Sequence, residues 1–214
     1  MGLTVATHSL ADALASGVSS RYLDELWDHL REINERLADE GLPLHHEPTI
    51  AGTAAMRDPM GSVPSTFIHC LYHAYAHAYE DPDAALISPG DDVCSADDTA
   101  VMDAAIDLNC HLVLFWTASG FYVPIDFDEV LSLDDESALP GGFLGSSVAL
   151  LRELTELAER LDIALVDNEL RQDEIERILD DENPHPLHRE RQAWLLLFEA
   201  AHVSVANGTV IAYG

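Results

Sequence analysis

Cys110-His-Leu-Val-Leu-Phe-Trp-Thr117 and Phe121-Tyr-Val-Pro-Ile-Asp-Phe127 are the stretches that decide the fold class. Both are dense in β-branched and aromatic residues. Ala118-Ser119-Gly120 lies between them as turn material, so together they read as a β-hairpin. Pro124 has no N–H to offer a neighbouring strand, which would put the second arm at a sheet edge or a bulge. Asn207-Gly208 reads as a turn into one more short strand, Thr209 to Tyr213.

Helical periodicity dominates elsewhere. Leu23, Leu26, Trp27, Leu30, Ile33 and Leu37 recur at three- and four-residue steps between residues 20 and 40, with Ser19 or Ser20 to cap the start and Gly41 to end it. A shorter amphipathic piece surrounds Leu10 to Leu14. Residues 65–80 fit a helix or an alternating strand, and the alanines at 74, 76 and 78 favour helix. Residues 98–108 read as a short helix opened by Asp97 or Asp98. Further helices are expected over 146–161, with a stripe from Val148 to Leu161, over 167–181, and over 189–206 with Trp194 and Phe198. The expected fold is therefore α+β: a helix-rich single domain over 1–214 with a small antiparallel sheet containing a β-hairpin. The hairpin and the helices around Leu151 and Trp194 are expected to share one core. Residues 41–64, with four prolines and three glycines, read as a long mobile surface loop.

The 214 residues carry 39 Asp plus Glu against 10 basic residues, all Arg, for a formal net charge of −29. Direct binding of nucleic acid through phosphates is not expected. A Walker-type phosphate loop is excluded, because it needs a Lys. The N-terminus lacks a basic region and an apolar run, and no stretch reaches the roughly 18 apolar residues of a membrane span. Cys70, Cys94 and Cys110 form no CxxC pair, so a reduced cytoplasm without membrane contact is the expected setting.

The acid is unevenly placed. Residues 58–151 hold 16 Asp or Glu and no basic residue. The flanking helices interleave Arg at pair spacing, as in Glu156–Arg160 and Asp173–Arg177. The unneutralised stretch, in particular Asp91, Asp92, Asp97, Asp98, Asp126, Asp128 and Glu129, is read as the docking surface for a basic protein partner. Solubility or an acid-rich proteome accounts for the same charge without a partner.

His69, His73 and His77 repeat every four residues. Two neighbours at that spacing can hold one metal ion, but each step overshoots a turn by about 40°, so three fan out. A third ligand would come from His45, His46, Glu80 or an acid of 91–98. No Glu follows His69 or His73 in the zinc-protease manner. The preferred reading is a polar helix face and no cofactor, with zinc or another divalent metal as the alternative. Gly141-Gly142-Phe143-Leu144-Gly145-Ser146-Ser147 feeds a helix, yet it has no nearby cation and no nucleophile-elbow pattern, so a turn with a serine cap explains it. The chain is read first as a non-enzymatic binding protein, with a metal-dependent enzyme or metal-binding protein using the His69, His73 and His77 stripe as the alternative.

From Leu108 onward the chain resembles a group of uncharacterised bacterial proteins. The residues concerned are the Phe121–Phe127 arm, the Gly141–Ser147 turn, and Trp194, Ala200-Ala201 and Ser204 of the late helix. In overall type it is similar to acidic bacterial immunity proteins. That similarity implies a non-enzymatic inhibitor of a cationic toxin.

Overall fold

The computed structural model describes residues 2–7, 9–57, 61–89, 98–106, 110–112, 119–133, 137 and 139–214. Eight strands, β1 (Gly2–Ala6), β2 (Ser62–Pro64), β3 (Gly120–Val123), β4 (Leu131–Ser132), β5 (Phe143–Ser146), β6 (Leu165–Val166), β7 (Glu169–Leu170) and β8 (Ile211–Tyr213), alternate with seven helices among the described residues. The helices are α1 (Ser9–Ser16), α2 (Ser20–Asp39), α3 (Ser65–Glu80), α4 (Thr99–Ile106), α5 (Ser147–Ala158), α6 (Gln172–Ile178) and α7 (His188–Asn207). The fold is α+β.

Six strands form one mixed sheet in the order β2-β1-β8-β3-β5-β4. β3 is antiparallel to β8, pairing Phe121 with Ala212, and parallel to β5, pairing Tyr122 with Gly145. Both sides of β3 are thus taken by strands remote in sequence. The arm read as half of a local hairpin is an interior strand of a mixed sheet, and the other arm, 113–117, lies outside the described residues. Pro124 is tolerated because β3 ends at Val123, one residue before the missing N–H would matter. The local two-strand hairpin is β6–β7. There Asp167 and Asn168 take φ of 54° and 64°, the pair of positive angles a tight two-residue turn requires. That turn replaces the first part of the helix expected over 167–181.

Alternation along β3 separates two cores. Phe121 and Val123 join Ile33 and Leu37 of α2, together with Leu144, on one face of the sheet. Tyr122 points the other way, into a larger cluster with Leu150 and Leu154 of α5, Leu71 of α3 and Trp194 of α7. α2 contributes only Ile33 and Leu37 to the buried set, and Trp27 of its apolar stripe stays 47% exposed. Gly120 is required by close approach: a Cβ there would lie 2.5 Å from the Tyr213 hydroxyl.

The motifs that carried the resemblance are structural. Ser146 accepts from the Ala149 N–H as the cap of α5, and its hydroxyl donates to the Ile125 carbonyl at 2.7 Å. Ser147 and Ser204 hydroxyls meet at 2.7 Å, and Ser204 donates to the Thr209 carbonyl. His111 is buried and held neutral, because burial pushes its pKa down to about 4. Its Nδ1 accepts from the Ser146 N–H, which leaves Nε2 to donate to the Asp128 carbonyl. The loop over 41–57 is tied down at several points: Asn34 holds the His45 backbone, Glu47 accepts from the Val210 N–H at 2.9 Å, and Asn207 bonds both backbone groups of Ala54.

Glu153 of α5 accepts from the His111 and Leu112 N–H groups at 2.8 and 2.7 Å. Burial nevertheless pushes its pKa up to about 7. The native state then holds this proton more tightly than the unfolded chain does. Its stabilising effect is full below the ordinary carboxyl pKa and is lost as pH rises toward 7. Glu153→Gln, neutral at every pH, should flatten the stability profile between pH 5 and 8. Urea midpoints at the two pH values check this, and an unchanged slope would mean that Glu153 titrates as an ordinary carboxyl.

Candidate functional site

The central acidic stretch is partly neutralised from outside. Arg152 of α5, the first basic residue after the 58–151 stretch, reaches Asp126 at 3.4 Å and Asp128 at 3.5 Å. Both acids remain exposed, as does Glu129. Asp98 is turned inward: its Oδ1 accepts from the Ala100 and Val101 N–H groups and so caps α4. Asp91, Asp92 and Asp97 lie outside the described residues.

The other oxygen of Asp98 meets the histidine stripe. His73 Nδ1 lies 2.5 Å from Asp98 Oδ2, and His77 Nε2 lies 3.3 Å from the same atom. The two rings sit one turn apart on α3, with centroids at 4.1 Å. Burial alone would raise the Asp98 pKa, but the hydrogen bond and charge of His73, the Val101 N–H and His77 outweigh it and hold the carboxyl below its usual value. One donor atom from each of His73, His77 and Asp98 falls within 4.8 Å of the others, the grouping among the described residues suited to a metal ion. His69 is not part of it. It stands edge-on to Tyr72 at 6.1 Å, and burial lowers its pKa. The four-residue repeat signals two of these three residues, and the 91–98 acid window contains the third.

A second group of exposed carboxylates lies around the end of α3 and the end of α5. Arg160 spends its guanidinium on the carbonyls of Pro82 and Ala84, which draws the loop after α3 against the end of α5. The helix pair expected between Glu156 and Arg160 is therefore not made, and Glu156 and Glu159 face solvent beside that loop. Likewise Arg177 bonds Asp162 and Glu174 rather than Asp173. Glu80, Asp81 and Asp83 are exposed on the loop side, and Asp103 of α4 lines a cavity of about 250 Å³ with Tyr75, Tyr79 and Glu80. Among the described residues no arginine pairs with Glu80, Asp81, Asp83, Asp103, Glu156 or Glu159. Two apolar side chains stand out within this rim: Tyr79 is 79% exposed and Ile87 77%. Charge counting along the chain misses Glu156 and Glu159, because their helix looks neutralised until Arg160 is seen elsewhere.

Residues 1–213 match the family model described as "Putative DNA-mimic protein". The chain belongs to this DNA-mimic family. No curated protein and no solved structure matches it. Membership corrects the expected partner. A protein chosen for its basicity alone gives way to the class that the family's description names by implication, proteins that recognise DNA. No helix among the described residues is long and apolar enough to cross a membrane.

Proposed function

We propose that the chain docks on the DNA-contacting surface of a DNA-binding protein and competes with DNA for it. The match to the DNA-mimic family over residues 1–213 carries this reading. The net charge of −29 and the carboxylates free of arginine around the end of α3 support it. Duplex DNA presents one negative charge per about 1.7 Å of axis, and about 3.4 Å separates charges along one strand. Side chains three residues apart on a helix, as Glu156 and Glu159 are, stand about 5–6 Å apart. A row of such carboxylates offers a field of the same order to a groove built for phosphates. Tyr79 and Ile87 would add apolar anchors that DNA lacks, which favours protein specificity.

The narrower form of the reading is an immunity-type role, in which the DNA-binding partner is a DNA-cleaving toxin. Affinity capture from the native host, followed by competition with duplex DNA, tests both levels. The expected result is a captured DNA-binding protein released by excess duplex, with the chain in turn displacing DNA from it. A captured protein that binds DNA and this chain simultaneously would rule out mimicry. Inhibition of cleavage by a captured nuclease supports the narrower form; a captured protein without nuclease activity removes it.

A further inference from the structure

The cluster at α3 and α4 has a chemistry that docking does not use. We propose that His73, His77 and Asp98 form a three-ligand site for a divalent transition-metal cation of the zinc class, with its fourth place open to the adjoining cavity. Four features of the geometry argue for it.

His73 and His77 are neighbours on one helix face and aim ring nitrogens at the same carboxylate oxygen. Two imidazoles and one carboxylate suit zinc, cobalt or nickel rather than calcium or magnesium, which prefer all-oxygen shells. Ligand atoms around tetrahedral zinc stand about 3.3 Å apart, since each lies about 2.0–2.1 Å from the metal. The His77–Asp98 separation of 3.3 Å already meets this, and the His73–Asp98 contact of 2.5 Å would open by less than an ångström as metal replaces the shared proton.

The ligands are also held from behind. Asp98 Oδ1 is fixed by two N–H groups at the start of α4, which orients Oδ2 toward the histidines. Glu80 Oε2 lies 3.7 Å from His77 Nδ1, the nitrogen turned away from Asp98. At that distance the carboxylate acts through its charge rather than through a hydrogen bond, and that charge favours a cation held at the far side of the ring. Finally, a cavity of about 320 Å³ lined by His73, His77, Glu80, Asp81 and residues 84–87 adjoins the site. It leaves room for water or another exogenous fourth ligand. A bound ion would pin the start of α4 to α3.

Zinc alone is the probe. The chain is stripped with chelator and dialysed against Zn²⁺ with excess Mg²⁺ to occupy the ordinary surface carboxylates. One zinc per chain is expected, with cobalt giving visible ligand-field bands in its place. His77→Ala should lower zinc affinity by at least about 100-fold, the upper range seen for removal of even a supporting residue. Asp98→Asn keeps a good helix cap and should lower it similarly, so loss there cannot be blamed on an unfolded α4. His69→Ala should bind as the parent does. Absence of stoichiometric zinc in the parent, undiminished binding by Asp98→Asn, or an equal loss in His69→Ala each overturns the site.

Discussion

Replacing Glu80, Asp81, Asp83, Glu156 and Glu159 together by their amides is expected to slow association with the DNA-binding partner by about 10–10³-fold at low salt. These side chains are exposed and have no arginine to satisfy among the described residues, so their field reaches into solvent. The loss should lie mainly in the rate of encounter and shrink as the Debye length falls from about 10 Å at 0.1 M salt to about 3 Å at 1 M. The comparison set is Asp126, Asp128 and Glu129, where Arg152 already cancels part of the charge. Amides there should slow association less per site. Tyr79→Ala should act differently, speeding dissociation because it removes an apolar anchor rather than a long-range field. Stopped-flow rates at several salt concentrations separate these effects. If both amide sets act equally, or if binding ignores salt, the charge serves solubility and the docking surface lies elsewhere.

Trp194→Ala should cost about 3–5 kcal/mol of stability, the range for removing a large aromatic from a packed core. Trp194 is fully buried, stacks on Phe198 with ring centroids 4.5 Å apart, and donates its Nε1–H to the Leu154 carbonyl at 2.7 Å. The substitution leaves a cavity between α5 and α7 and strips that carbonyl of its donor. Native domains are stable by only about 5–15 kcal/mol, so this change alone consumes much of the margin. Trp27→Ala is the control. Its ring is 47% exposed, and its loss should stay within about 0.5 kcal/mol. Urea midpoints compare the two. A cost under about 1 kcal/mol at Trp194 would place the main core elsewhere.

The two tryptophans also show where periodicity stops being informative. Both lie in regular apolar stripes, and both read as core. α7 is enclosed by α3, α5 and the sheet, so its stripe is buried almost all round. α2 lies against the opposite face of the sheet with the short α1 as its helical neighbour, and buries only Ile33 and Leu37. A stripe records the ability to pack; the number of elements that arrive to cover it is not written in its spacing. The strands behave alike. Composition marks Phe121–Val123 as β, but its neighbours come from 144–146 and 211–213, and a local hairpin is only the pairing cheapest in chain entropy.

Charge is where the two levels part furthest. Composition determined the excess of acid, the lack of lysine and hence the exclusion of a Walker-type phosphate loop; local pattern determined the helices with their caps at Ser19, Ser146 and Asp98 and the α+β class. These are properties of a few adjacent residues, whose backbone preferences act over one or two turns. Tertiary structure alone decided which carboxylates are free. It brought Arg152 to Asp126 across 26 residues, carried Arg160 to carbonyls 76 and 78 residues away, and set Asp98 against His73 across 25. Ionic and hydrogen-bonded partners are chosen by proximity in space, because a hydrogen bond or a close ion pair forms only when the two groups come within about 3–4 Å, and proximity in space exists only once the sheet and its helices have closed around their cores.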